Sequence, residues 1–148
     1  MIKLQNVCYV RLGASNLDDA THFATDLLGL EVAERTRTAI SFKSDDRDHT
    51  LVYFEGDPND HTAAFEVAAQ SDLDDAAATL EKLGHDVRRG SAAEADERKV
   101  RDFVRFRDPT GNHIELVWRP LHSGRRYHGV RDAGITGFSH IGLHSTDP

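Results

Sequence analysis

The chain repeats itself. Leu17-Asp18-Asp19-Ala20 recurs as Leu73-Asp74-Asp75-Ala76, and each copy leads to a glycine and a short segment ending in valine, Gly29-Leu30-Glu31-Val32 in the first and Gly84-His85-Asp86-Val87 in the second. Such a repeat signals two copies of one supersecondary unit, each unable to bury its apolar face without a neighbour. In the first copy Val7 to Leu12 reads as a strand. Ser15 or Asn16 then caps a helix whose first turn carries Asp18 and Asp19, where the backbone dipole favours negative charge. Leu17, Ala20, Ala24, Leu27 and Leu28 fall on one face at three- and four-residue spacing, and Gly29 stops the helix. Strands at Leu30 to Arg35, Ala39 to Lys43 and Thr50 to Phe54 complete a βαβββ unit.

The second copy has the same order. Ala63 to Ala68 is a strand, and Ser71 or Asp72 caps a helix with Leu73, Ala76, Ala77, Leu80 and Leu83 on its buried face. Gly84 ends it, and Val87 to Arg89 is a short strand. Gly90 to Arg98 reads as a solvated loop, and Val100 to Arg107 as a strand with Val104 and Phe106 on one face. Asp108 to Asn112 is a tight turn in which Pro109 presets φ and Gly111 accepts a positive φ. His113 to Trp118 closes the unit. The expected fold class is α+β: paired βαβββ modules, residues 1–60 and 61–118, forming a curved mixed sheet with helices on the outer face and a concave pocket on the other. Residues 119–134 are rich in Arg and Gly with little apolar periodicity, and read as a linker or extended arm. In residues 135–148, His140 aligns with Tyr9, Ile141 with Val10, Leu143 with Leu12 and Asp147 with Asn16, so this segment reads as the start of a third βαβββ module.

Composition sets the limits. A chain of 148 residues is one domain or two small subdomains sharing a core. The net charge of -7 disfavours a nucleic-acid or anionic-membrane partner. A lone cysteine, Cys8, excludes an intramolecular disulfide framework and reads as a small core hydrophobe. No apolar run approaches the roughly 20 residues of a membrane helix, and Met1 to Gln5 lacks the features of a signal peptide, so a cytoplasmic protein is expected. HExxH, GxGxxG, Walker A and GxSxG motifs are all absent, which leaves no support for nucleotide or serine-hydrolase chemistry.

Three segments carry a family resemblance: Val7-Cys8-Tyr9-Val10-Arg11-Leu12, Thr62-Ala63-Ala64-Phe65-Glu66-Val67 and, above all, Asp108-Pro109-Thr110-Gly111-Asn112-His113-Ile114-Glu115-Leu116. The pattern resembles the vicinal oxygen chelate superfamily of glyoxalase I, bleomycin-resistance proteins and type I extradiol dioxygenases. Within it, the chain looks most like the N-terminal, non-catalytic domain of the two-domain extradiol enzymes. Gly137-Phe138-Ser139-His140-Ile141-Gly142-Leu143 resembles the setting of the first iron ligand there. The resemblance implies a whole enzyme that binds Fe(II) through two His and one Glu and opens the ring of an aromatic diol. His140 would be the first ligand of a catalytic half absent from this chain, and the chain alone would be inactive and hold no iron. Two other readings stand beside this one. One is a stand-alone bleomycin-resistance-like protein that binds a small molecule near Tyr9, Thr62 and Glu115. The other is a single-domain glyoxalase- or epimerase-type metalloenzyme using His61, Glu115 and His140 of a partner chain.

In the superfamily, metal ligands come from the first and last strands of each module, and those positions here read Tyr9, Leu51, Thr62 and Glu115. Only Glu115 is an ordinary ligand, and Fe(II) in an open facial site needs two imidazoles beside the carboxylate. Alternation puts Glu115 on the face opposite Ile114, Leu116 and Trp118. His61 becomes a ligand candidate only through a one-residue slip, which would turn Phe65 and Val67 to the wrong face. His113, two residues before Glu115, shares its face in a strand, but a His at a strand end beside a turn reads as a plain surface residue, and His22, His49 and His85 lack a partner pattern. His144 follows His140 by four residues, too far along a strand to share one ion. An unfinished strand at the end of the chain points to association into a homo-oligomer.

Overall fold

The computed structural model describes residues 1–129 and 134–146. The middle of the arm and the alignment of Asp147 with Asn16 lie outside the described residues. The chain divides into two compact units between His61 and Thr62. One holds Tyr9–His61 with His122–Phe138, and the other holds Thr62–Leu121 with Met1–Cys8 and the segment from Ser139.

The first module runs β1 (Asn6–Ala14), α1 (Leu17–His22), β2 (Glu31–Arg35), β3 (Ala39–Lys43) and β4 (Leu51–Glu55). Its strands lie in the order β2-β3-β4-β1, with β1 and β4 parallel and the other pairs antiparallel. Asn16 takes the cap, accepting from the backbone N–H of Asp18 at 2.9 Å and of Asp19 at 3.3 Å. The α-helix is shorter than its apolar spacing predicts, because Phe23–Leu27 widens into a π-helical turn. The Thr21 and Thr25 hydroxyls donate to the carbonyls of Leu17 and Thr21, at 2.6 and 2.9 Å, and this competition for helix carbonyls favours distortion. The extra residue in the turn swings Leu27 out to 63% exposure, whereas the sequence places it on the buried face. Ala24 stays buried and joins Leu30, Ile40 and Phe42, with Leu17, Leu28, Leu51 and Tyr53 around them.

The second module runs β5 (His61–Val67), α2 (Gln70–Lys82), β6 (Arg88–Arg89), α3 (Ala92–Glu97), β7 (Val100–Arg107) and β8 (His113–Pro120), with strand order β5-β8-β7-β6. Helix α2 starts earlier than Ser71 or Asp72 would allow as caps. Ala69 is its N-cap residue, and the Asp72 carboxylate accepts the Ala69 N–H at 3.0 Å from inside the first turn. Its core is Val67, Leu73, Ala76, Leu80, Val104 and Leu116, with Phe65, Phe106 and Trp118 packed against them. Leu83 lies past the last helical residue and is 71% exposed, again contrary to the apolar pattern. The expected loop over Gly90 to Arg98 contains α3, started by a reciprocal cap: Glu94 N–H donates to Ser91 Oγ at 3.3 Å, and Ser91 N–H donates to Glu94 Oε2 at 2.8 Å. The signal was the Ser-x-x-Glu spacing.

Two polar devices fix the edges of this module. Asp108 Oδ1 accepts the N–H groups of Thr110 (2.9 Å) and Asn112 (2.8 Å), and Oδ2 accepts Asn112 Nδ2 (2.7 Å). These bonds, the Asn112 side chain foremost, hold the Asp108 carboxyl below the usual carboxylate range, and Gly111 supplies the φ of 99° that closes the turn. At the other edge, Arg89 joins β6 to α2 and β7, with Nη1 at 2.8 Å from Asp74 and Nε at 3.0 Å from Asp102. Among the described residues no helix is long and apolar enough to cross a membrane.

The Gly13 N–H donates to the Asp60 carbonyl at 2.8 Å, and a Cβ at Gly13 would stand 1.8 Å from the Asp57 carbonyl oxygen. Backbone has to move to admit a methyl group, so Gly13→Ala is expected to cost about 2 kcal/mol or more in urea unfolding; a change within experimental error contradicts this. The Arg89 guanidinium holds the Asp102 carboxyl below its ordinary value. Its stabilisation is therefore present above the unfolded pKa of about 3.9 and is lost as pH falls through the lower folded value. Asp102→Asn should cost about 1 kcal/mol at pH 7, with the difference from wild type shrinking below about pH 4. An unchanged difference across the acid range rules this out.

Candidate functional site

Strand register assembles one polar face in the second module. In β5, β8 and β7, Thr62 pairs with His113 and His113 with Arg107. In the next row Ala64 pairs with Glu115, Glu115 with Arg105, and Arg105 with Arg88 of β6. Paired residues share a face, and the alternate positions Phe65, Val67, Val104, Leu116 and Trp118 pack with α2 on the other. Glu115 therefore lies away from α2, as alternation predicts. The polar face opens into a cleft of about 380 Å³ lined by Thr62, Arg98, Arg105, Arg107, His113 and Glu115, with Asp86 and Arg88 beside them.

Glu115 is only 2% exposed, and its partner Arg98, at 9%, places Nε 2.8 Å from Oε1. The same guanidinium lies over the Phe103 ring, 4.5 Å from its centroid, where the negative ring face favours a cation. Arg98 is the C-cap residue of α3, and Lys99 follows at a φ of 53°, so the short helix and the sharp reversal after it set the position of the guanidinium. Sequence reading missed this residue because it missed α3. The pair decides what the face can hold. A metal ion bound at Glu115 would have to displace a buried guanidinium from its own carboxylate. Among the described residues no three of His, Cys, Asp and Glu are arranged to hold a metal ion. The residues on this face do not fit an iron centre.

The remaining candidates fall in different places. His61 has its ring Nδ1 3.1 Å from the Asn59 carbonyl and, by alternation, shares the side of Phe65 and Val67 rather than that of Thr62. His113, expected as a plain surface residue, is half-buried and lines the cleft. Tyr9 belongs to the first unit, fully buried, its ring edge-on to His49 at 5.4 Å between centroids. Leu51 is in register with Val10 and packs toward Ala24, Ile40 and Phe42, so it lies on the other face of the sheet from Tyr9. Cys8 is buried. His22 pairs with Asp26 on the surface, and His85 stands edge-on to Phe106. His140 is exposed, with Nδ1 3.1 Å from Ser139 Oγ, on a segment (134–146) that forms no strand. Its part from Ser139 on meets the Asp108 turn, where the His144 carbonyl accepts from Asn112 Nδ2 at 2.9 Å.

Within each unit the first and last strands pair in parallel, β1 with β4 and β5 with β8. Residues 7–116 match the model of the Glyoxalase/Bleomycin resistance protein/Dioxygenase superfamily, and the chain belongs to that superfamily. Its relatives include the 1,2-dihydroxynaphthalene dioxygenase of Pseudomonas sp. (strain C18), 28% identical over 148 residues, which cover 94% of this chain and 49% of the relative. The biphenyl-2,3-diol 1,2-dioxygenase of Sphingomonas paucimobilis is 27% identical over 156 residues, covering 99% of this chain and 52% of that protein. Among solved structures, a catechol 2,3-dioxygenase superimposes with a TM-score of 0.81 at 28% identity, over 88% of this chain and 45% of the other. The chain spans about half the length of the curated relatives it matches.

The buried pair has a measurable signature. Arg98→Met leaves a carboxylate charge in the sheet without its guanidinium and should cost about 3–5 kcal/mol in urea unfolding. Adding Glu115→Leu in the same chain should recover most of that loss, because an apolar pair of similar volume carries no desolvation penalty. If the double variant is no more stable than Arg98→Met, the pair is not the source of the cost.

Proposed function

We propose that this chain is the N-terminal, metal-free half of an Fe(II)-dependent extradiol ring-cleaving dioxygenase acting on catechol-type aromatic diols. The observation that carries the reading is the Arg98–Glu115 pair: the acidic residue at the ligand position of the last strand is engaged by a buried cation, so this half serves the fold rather than the iron. Kinship with enzymes named for cleaving dihydroxynaphthalene and biphenyl-diol supports the reaction class, and the chain's share of their length supports a division of labour between two halves. In this reading the iron is held by chain outside these 148 residues, with His140 as its first ligand. The exposed imidazole of His140, on a segment without strand structure, is in keeping with that role.

The reading is tested by supplying the 148-residue chain with Fe(II) and 2,3-dihydroxybiphenyl under air, following the coloured ring-opened product, and measuring iron retained after desalting. The expected result is no ring cleavage and far less than one iron per chain. Cleavage by this chain alone overturns the reading. One iron per chain retained, even without cleavage, also overturns it and moves the assignment to the single-domain metalloenzyme using His61 and Glu115.

A further inference from the structure

Residues from Ser139 on belong with the second module, whereas the arm before them, His122–Phe138, belongs with the first. From Ser139 to Thr146 the segment forms no strand, and only Ile141 in it is half-buried. Apolar burial therefore does little to hold it in place. What meets it is the Asp108 turn. The His144 carbonyl accepts from Asn112 Nδ2 at 2.9 Å, and the Thr146 N–H donates to Thr110 Oγ1 at 3.4 Å. The turn is closed by bonds of its own. The Asp108 N–H donates to the Asn112 carbonyl at 3.0 Å and the Gly111 N–H to the Asp108 carbonyl at 2.9 Å, besides the two backbone N–H groups held by the Asp108 carboxylate. Asn112 is the residue that faces both ways. An amide nitrogen carries two protons where a carboxylate has none to give. Here it meets two acceptors, Asp108 Oδ2 at 2.7 Å inside the turn and the His144 carbonyl 32 residues along the chain. With Asn112 only 5% exposed, water does not readily replace either one. A carbonyl four residues beyond His140 is thereby fixed, and four residues of chain span at most about 14 Å.

We infer that the Asp108 turn is a docking hook for residues 139–146, and that Asn112 is a positioning residue for His140, fixing the place of its backbone on the second module. The inference deepens the reading of His140 as a first ligand and rests on that reading for its chemical purpose; the hook itself does not. It gives the metal-free half a task. That half contributes no ligand and instead holds the stretch of chain that presents the first imidazole. Asn112 touches neither metal nor diol and acts only through the backbone it holds.

The test uses the 148-residue chain, isotopically labelled, with neither metal nor diol added, so its failure is distinct from a failure of the ring-cleavage reading. Backbone order parameters from His140 to Thr146 are expected near the rigid value of about 0.85. Asn112→Ala removes both side-chain bonds of the amide. Thr110→Val removes only the acceptor of the Thr146 N–H and leaves the Thr110 N–H on Asp108. Each should lower the order parameters of His140 to Thr146 below about 0.6, with the amide shifts of Val104 and Leu116 unchanged. Thr110→Ser keeps a hydroxyl acceptor and should restore the wild-type values. The inference is overturned by wild-type order parameters below about 0.6 at His140, by Asn112→Ala leaving His140 as ordered as in the wild type, or by Thr110→Ser loosening the segment as Thr110→Val does. If Asn112→Ala also shifts the amides of Asp108 and Gly111, Thr110→Val alone decides, and unchanged order at His140 in that variant overturns the inference.

Discussion

Glu115 is a carboxyl group near the middle of a sheet, almost without access to water, and Arg98 meets it at 2.8 Å. Desolvating a carboxylate costs several kcal/mol unless an opposite charge meets it at close range. Arg98 provides that charge, and Arg98 is where it is because Ser91 and Glu94 start a helix of less than two turns and Lys99 ends it with a reversed backbone. A metal ion could fill the same electrostatic need. In this chain a guanidinium fills it.

The rest of the second module follows from register. Parallel pairing of β5 with β8 and antiparallel pairing of β8 with β7 put Thr62, His113 and Arg107 in one row and Ala64, Glu115 and Arg105 in the next. A shift of one residue would exchange these for Phe65, Leu116 and Val104, so the apolar contacts with α2 lock the polar face in place. The Asp108 turn fixes the connection between β7 and β8, and through it the position of Arg107 relative to His113. The most family-like run in the sequence is thus a structural device as well as a signature. Its Asp, Gly and Asn serve the turn, and the Glu that follows faces the cleft.

Much of this was legible in the sequence. Apolar alternation places Glu115 opposite Leu116 and Trp118. What was not legible had local physical causes. Apolar spacing does not anticipate the π-helical turn at Phe23–Leu27, which turns Leu27 outward. Charge and alanine content made residues 90–98 look like a loop, although Ser91 and Glu94 carried the capping signal, and with α3 went the chance to foresee Arg98. Two-residue spacing from Glu115 puts His113 on the same face of the strand, but its neighbours there, Thr62 and Arg107, are set by register between strands, which no short window contains.

The central claim is that Arg98 stands where a metal would otherwise be needed. Its most direct test is titration of the labelled chain with Mn(II), whose paramagnetism broadens the amides of residues near a bound ion. The account predicts no saturable broadening at His61, His113 and Glu115 in the wild-type chain. Saturable, site-specific loss of those resonances at one equivalent of Mn(II) would show that the carboxylate is available to metal after all, and would contradict it.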